Sequence, residues 1–271
     1  WKNVLQNEHF NNGENVFLAR DRSRNKKTIL VIDHYVPTFD KDAGSRTVYQ
    51  YLKLFVGKGY NVKFIGDNFY PEEPYTTTLQ QMGIEVLYGS YYANHWKSWI
   101  REHAKDIDYV LLNRPHISVK YIDFVKAHTK AKIFYYGHDL HFLREKREYE
   151  LTGDKTVLKS SLAWRKKEIN LMKKADYAYY PSRIEEEEIK KIDDSINVKA
   201  IPAYLFEDII KEPYHFENRK DIMFIGGFSH KPNIDAVVWL AKEIMPILLE
   251  LNSMLKIYIL GSNPPECIKA L

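Results

Sequence analysis

The chain has 271 residues, of which 45% are hydrophobic and 28% are charged, as in an ordinary soluble globular protein. No apolar run approaches the roughly 18 residues of a membrane-spanning helix, and a net charge of +4 is too small to indicate a nucleic-acid partner. The single cysteine, Cys267, excludes an internal disulfide and favours a reducing compartment, so we predict a cytoplasmic protein.

The first 26 residues are polar and are predicted to form a lead-in with one short strand over 15–19. From residue 28 onward, short apolar runs alternate with amphipathic segments. The apolar runs predict strands over 28–32, 61–65, 84–88, 109–112, 132–136, 177–180 and 198–201, and the amphipathic segments predict helices over 45–56, 76–82, 94–104, 119–128, 157–174 and 184–191. This alternation predicts a mostly parallel sheet with right-handed crossovers, so residues 27–203 are predicted to be a Rossmann-like domain.

A second α/β unit is predicted over 221–271, after a linker at 204–220. Residues 222–225 and 256–260 are predicted to be buried strands, with a helix over 233–251 between them. Roughly fifty residues are too few for a complete doubly wound sheet. The predicted fold class is therefore α/β, with one complete Rossmann-like domain and the start of a second, and the chain is interpreted as part of a larger enzyme.

The loop after the first strand is the first candidate site, because ligands of open α/β sheets bind outside the carboxyl ends of the strands. Gly44 would let a ligand approach the backbone closely, and Ser45 is predicted to cap the following helix. Arg46 could form a charge-assisted contact with a phosphate. The same three residues fit a capped helix with a surface arginine equally well. No GxGxxG fingerprint is present, which argues against a nicotinamide or flavin cofactor.

The segment after the fifth strand is the second candidate site, and it belongs to the same edge of the predicted sheet. It contains His138, Asp139 and His141. A histidine beside an aspartate at a strand end can bind a sugar hydroxyl or brace a loop, and the alternative is a histidine satisfied by nearby backbone. The spacing is not a standard zinc pattern. DxD pairs at 40–42 and 106–108 are weak matches to a metal-binding pattern of sugar transferases, and the second precedes its strand. We therefore expect no metal.

The glycine turn of the second unit is the third candidate site. A strand that runs through glycines into a helix can cradle a phosphate with backbone N–H groups and the helix dipole. Lys231 could neutralise a diphosphate without a metal, although it could equally be an exposed loop lysine. The candidate residues of this turn are Gly226, Gly227, His230, Lys231 and Asn233.

Three segments together make the chain resemble a bacterial glycosyltransferase of the GT-B fold, in glycosyltransferase family 4. The resemblance covers about residues 28–271 and is carried by PTFDKDAGSR at 37–46, GHDLHFLRE at 137–145 and FIGGFSHKPNIDA at 224–236. The third segment is the most specific. The most similar subgroup builds O-antigen, capsule and related surface polysaccharides.

The resemblance implies that a sugar is transferred from a nucleotide-diphosphate donor to a glycan or lipid-linked acceptor, with retention of configuration and without a required metal or cofactor. It implies that the donor diphosphate lies near Gly226, Gly227 and Lys231, with Gly44 and Ser45 facing it. His138 occupies the position from which such enzymes often contact the donor sugar, and His138 and Asp139 are the candidate catalytic residues. The acceptor would bind chiefly to the N-terminal domain.

The chain departs from the family pattern at its end. The pair of glutamates that holds the donor sugar and ribose in this family lies beyond Leu271, so we expect residues 1–271 alone to be inactive. One alternative is a non-catalytic glycan- or partner-binding module of a larger assembly protein, and another is a sugar-nucleotide epimerase of similar architecture. Basic residues also raise the hypothesis of peripheral association with the inner face of a membrane: Lys166, Lys167, Lys173 and Lys174.

Overall fold

The computed structural model describes residues 1–9, 16–19, 24–204, 206, 215, 217 and 219–271. The chain forms two compact units, Trp1–Phe206 and Glu207–Leu271, which we call the N-terminal and the C-terminal unit. Most of the linker predicted at 204–220 lies outside the described residues.

The N-terminal unit is built on a seven-stranded parallel sheet in the order β3-β2-β1-β4-β5-β6-β7. Its strands are β1 (Thr28–Asp33), β2 (Asn61–Gly66), β3 (Glu85–Leu87), β4 (Tyr109–Asn113), β5 (Lys132–Tyr136), β6 (Tyr177–Tyr180) and β7 (Val198–Ala200). All seven predicted strands are present, and the α/β prediction is confirmed. The strand order reverses between β1 and β4, which is where doubly wound sheets bind their ligands.

The helices of this unit cover both faces of the sheet. They are α1 (Lys2–Glu8), α2 (Val16–Ala19), α3 (Ala43–Gly57), α4 (Tyr75–Gln81), α5 (Ser90–Glu102), α6 (Pro115–His128), α7 (His141–Thr152), α8 (Lys155–Lys174) and α9 (Arg183–Ile192). Alternate residues of β1 enter different cores: Ile29 and Val31 pack with α3 and α4, and Leu30 and Ile32 pack with α5, α6, α8 and α9. Burial on both faces explains the continuous apolar run of this strand.

Two local predictions for this unit are wrong. The segment at 15–19 is not a strand, because Val16–Ala19 is helical and Phe17 stacks on His103 at 4.2 Å between ring centroids. Ser45 is not the cap of α3, which begins two residues earlier than predicted. Asp42 caps this helix, because its carboxylate accepts hydrogen bonds from the Ser45 backbone N–H at 2.8 Å and from the Ser45 hydroxyl at 2.6 Å.

The C-terminal unit contains a parallel pair of strands, β8 (Ile222–Ile225) and β9 (Ile257–Leu260). The long helix predicted over 233–251 begins earlier and is interrupted by a π-helical turn: α10 (Lys231–Trp239) leads into Leu240–Ile244 and then α11 (Met245–Leu251). A short helix, α12 (Glu266–Lys269), follows β9.

Both strands of the C-terminal unit were predicted to be buried, and this is wrong for one face of the pair. Phe224 and Ile259 pack on one face against a small core of Phe228, Val237 and Ile268. On the other face, side chains are widely exposed: Met223 62%, Ile225 67%, Tyr258 52% and Leu260 48%. Within the described part of the chain, the core of this unit packs on one side of the strands.

Candidate functional site

Three strand ends meet at the carboxyl edge of the N-terminal sheet, on either side of the point where the strand order reverses. Asp33 ends β1, Asn113 ends β4 and Tyr136 ends β5. The buried Asn113 side chain donates a hydrogen bond from Nδ2 to the Ile32 carbonyl at 3.1 Å, which ties β4 to β1 across this point. The residue after each strand therefore projects from the ligand-binding edge of the fold.

Arg114, directly after β4, is a central residue of this edge that the sequence analysis missed. Its backbone adopts a left-handed conformation with φ of 59°, which is uncommon for a residue with a side chain. Its Nε donates to the carboxylate of the buried Asp33 at 2.8 Å. Burial raises the pKa of Asp33 above its ordinary value, and the positive charge of Arg114 opposes that rise. The Nη2 atom of Arg114 is buried and has no hydrogen-bond partner.

Gly44 is the residue that gives the Arg114 guanidinium its space. A Cβ atom at this position would lie 2.6 Å from Arg114 Nη2, well inside van der Waals contact. The sequence predicts that Gly44 lets a ligand approach the backbone, and in the structure the Arg114 guanidinium lies beside it. Ser45 is buried with its hydroxyl committed to Asp42, and Arg46 is exposed.

His138 lies at the same edge after β5, again in a left-handed conformation with φ of 66°. Its ring stands edge-on to Tyr136 at 4.6 Å, and its Nε2 atom is buried without a hydrogen-bond partner. Burial lowers the pKa of His138 well below the ordinary value, and the positive charge of Arg114 lowers it further. The imidazole is therefore neutral near neutral pH.

His34, directly after β1, has the same character. Burial lowers its pKa to about 3, with further contributions from Arg114 and His116. Its ring stacks on Tyr35 at 3.5 Å, and its Nε2 atom is also buried and unpartnered. The edge thus carries one guanidinium and two neutral imidazoles, each with an unused polar atom.

Asp139 and His141 have structural partners. The Asp139 carboxylate binds Arg144 and lies 3.2 Å from His141 Nδ1. The fully buried Glu168 accepts hydrogen bonds from the backbone N–H groups of His141 and Phe142, each at 3.0 Å. Glu168 therefore caps the N-terminus of α7 from α8, the next helix in the chain, and it lies 3.5 Å from His141 Nδ1. Burial lowers the pKa of His141, but Glu168 and Asp139 outweigh burial and the net pKa is raised.

In the C-terminal unit, the candidate residues gather at the turn between β8 and α10. The Asn233 side chain donates from Nδ2 to the Gly227 carbonyl at 2.8 Å and so braces the turn. A Cβ atom at Gly226 would lie 2.8 Å from that same Nδ2 atom, whereas at Gly227 the nearest atom would be Ser262 Oγ at 3.6 Å. His230 and Lys231 are exposed at the start of α10. Gly227 therefore offers open backbone next to a lysine.

The described residues contain no group of three or more His, Cys, Asp or Glu side chains placed to hold a metal ion. In each DxD pair, one carboxylate has another partner: Asp40 accepts a hydrogen bond from the Tyr75 hydroxyl, and Asp108 accepts one from the Thr28 backbone and pairs with Lys27. None of the described helices is both long enough and apolar enough to cross a membrane.

No protein-family model matches the chain, and no curated protein is significantly similar to it in sequence. Among solved structures, it is similar to an α/β-galactoside α-2,3-sialyltransferase from the luminous marine bacterium Photobacterium phosphoreum. The TM-score is 0.44 at 14% identity, and the match covers 88% of this chain and 75% of that chain. A likeness this weak does not establish a common fold, so the fold assignment depends on the strand order described above.

Proposed function

We propose that the protein is a glycosyltransferase that moves a sugar from a nucleotide-diphosphate donor to a glycan or lipid-linked acceptor in the synthesis of a surface polysaccharide. The observation that carries this proposal is the state of His138. It is a neutral imidazole with an unpartnered Nε2 atom at the ligand-binding edge of a Rossmann-like sheet. The resemblance of three sequence segments to family 4 enzymes supports the same conclusion.

The roles of the residues follow from their chemistry. A neutral imidazole can donate to or accept from an oxygen atom, so His138 is suited to the sugar–phosphate end of the donor. The open backbone at Gly227 and the charge of Lys231 at the start of α10 suit the donor diphosphate. Asp139 would act as a positioning residue, since its carboxylate already binds Arg144 and His141.

In the proposed reaction, the bond between the anomeric carbon and the diphosphate oxygen breaks with its electron pair going to the diphosphate. The acceptor hydroxyl oxygen bonds to the same face of the anomeric carbon, and its proton passes to the departing diphosphate. Positive groups around the diphosphate stabilise the charge that develops on it. This assignment uses a retaining mechanism, as the family resemblance implies.

One observation favours a second candidate function. Asp139 is engaged in ion pairs rather than free for chemistry, which is compatible with a non-catalytic module that binds a glycan or a partner. The two candidates differ in turnover: the enzyme releases a nucleoside diphosphate, and the module does not.

The test uses the protein as its gene encodes it, incubated with a panel of nucleotide sugars while release of nucleoside diphosphate is measured. His138→Ala is expected to abolish release, whereas His95→Ala, at an exposed position on α5, serves as the control and should leave release unchanged. Absence of release for every donor, together with retained glycan binding, would favour the module. Equal release by His138→Ala and wild type would overturn the role of His138.

A further inference from the structure

We propose that Arg114, His34 and His138 form a phosphate-binding subsite at the carboxyl edge of the N-terminal sheet. The inference rests on the proposed function and names the group that this edge takes. The phosphate belongs either to the donor diphosphate or to a phosphorylated acceptor, and the chemistry of recognition is the same for both.

Three polar atoms from three different strand ends are buried and unpartnered together. They are His34 Nε2, Arg114 Nη2 and His138 Nε2. The three side chains are close enough that the charge of Arg114 lowers the pKa of both histidines, and His34 lowers that of His138. Buried polar groups in folded proteins are nearly always paired, so three unpartnered atoms at one edge form a set that a single ligand could satisfy.

The carboxylates around this cluster already have partners. Asp33 accepts from Arg114 Nε and from the His34 backbone N–H. Asp42 caps α3, and Asp67, after β2, accepts from Lys120 and from the Tyr121 hydroxyl. The protein thus supplies these acceptors with donors but leaves its guanidinium and imidazole atoms unmatched. Arg114 Nη2 can only donate, and a neutral imidazole Nε2 donates in one of its two tautomers, so a group rich in acceptors, such as an oxyanion, can complete the site.

Among oxyanions, the donors of this cluster favour a phosphate. Arginine uses its fork to bind phosphate oxygens, and here Asp33 occupies only Nε and leaves Nη2 turned toward Gly44. Donors from three strands suit a tetrahedral group with several oxygens better than a planar carboxylate. A bound phosphate would also favour the charged form of the histidines, so binding should take up protons. The charged and titratable groups that face His34 are Arg114, His116, His138, Asp42 and Asp67. Those that face His138 are Arg114, His34, His141 and Asp42.

Isothermal titration of the protein with inorganic phosphate, a nucleoside diphosphate and a short-chain prenyl phosphate tests the subsite. Gly44→Ala pushes a methyl group against Arg114 Nη2, whereas Gly57→Ala, near the other end of α3, meets nothing within 4 Å and is the matched control. Gly44→Ala should weaken phosphate binding about ten-fold, the loss of one charge-assisted contact. Gly57→Ala should leave binding unchanged. Equal affinities for the two variants would overturn the proposal.

A second variant removes the charge without leaving a buried carboxylate unpaired. Asp33→Asn with Arg114→Gln replaces the ion pair by a neutral pair, and circular dichroism confirms folding. This double variant should also lose phosphate affinity, and unchanged affinity in a folded double variant contradicts the subsite. Proton uptake, measured by titration in buffers of different ionisation enthalpy, should fall in the same variant.

The measured affinities distinguish the two possible sources of the phosphate, donor and acceptor. Combined with an assay of sugar transfer, they test the subsite and the proposed function separately. A larger loss for the nucleoside diphosphate assigns the subsite to the donor, and a larger loss for the prenyl phosphate assigns it to the acceptor. Phosphate binding that depends on Arg114 in a protein that transfers no sugar supports the subsite and refutes the proposed function. Sugar transfer, together with phosphate affinities that Gly44→Ala leaves unchanged, supports the proposed function and refutes the subsite.

Discussion

Glu168 should be one of the most important single side chains for the stability of the N-terminal unit. It is fully buried and accepts two backbone N–H groups at the start of α7, each at 3.0 Å. An unpaired buried donor costs about 1–3 kcal/mol. Glu168→Ala leaves both backbone donors unpaired, so it should lower the free energy of unfolding by about 2–6 kcal/mol. Glu168→Gln keeps one acceptor oxygen and should lose about 1–3 kcal/mol.

Urea unfolding followed by tryptophan fluorescence measures this difference, because Trp164 lies 5.1 Å from the His141 ring and reports on the start of α7. Glu187→Gln, an exposed position on α9, is the control and should change stability by less than about 0.5 kcal/mol. In order of decreasing free energy of unfolding, we expect wild type and Glu187→Gln first, then Glu168→Gln, and Glu168→Ala last. A loss below about 1 kcal/mol for Glu168→Ala would refute the capping role.

Three further predictions concern other parts of the chain. The pKa of His141 is raised in the folded state, so its contribution to stability should be fully present below the unfolded pKa of about 6.5 and lost as the pH rises through the folded pKa. NMR titration should show the raised pKa of His141, and Glu168→Gln should remove the rise. Gly137→Ala should cost about 1–3 kcal/mol, because its Cβ would overlap the buried Tyr180 ring; denaturation that matches wild type would contradict this contact. In the C-terminal unit, thermal unfolding should show Met223→Thr within about 0.5 kcal/mol of wild type and Val237→Ala about 1.5 kcal/mol less stable, and the reverse order would contradict the assigned faces.

The parallel sheet could be predicted from the sequence because its signal is local. All six residues of β1 and of β2 are buried, and strands covered on both faces appear as short apolar runs between glycines and polar loops. The same rule failed in the C-terminal unit. The runs IMFI and IYIL in β8 and β9 are as apolar as those of β1, yet their residues alternate between partly buried and exposed. An apolar composition shows that a strand can be buried on both faces, but it does not show whether other elements pack on both faces.

The features that were missed depend on distant partners. The helix α7 is highly charged, and the carboxylate that caps it lies 27 and 26 positions from the two residues it binds. Arg114 pairs with Asp33 across 81 positions, and no local pattern marks it. Its only sequence signal is its place directly after a strand. His138 and His141 could be named as candidates from the sequence because they share a short segment at a strand end, but the burial that keeps His138 neutral comes from the tertiary structure.

The central claim is sugar transfer with retention, and NMR of the reaction product tests it most directly. The protein as its gene encodes it is incubated with nucleotide-sugar donors and a glycan or prenyl-linked acceptor, and the coupling of the anomeric proton is compared between donor and product. The account predicts a new glycosidic bond with the configuration of the donor, and no product from His138→Ala. An inverted product would contradict the retaining mechanism, and intact donors throughout the panel would contradict the assignment as a glycosyltransferase.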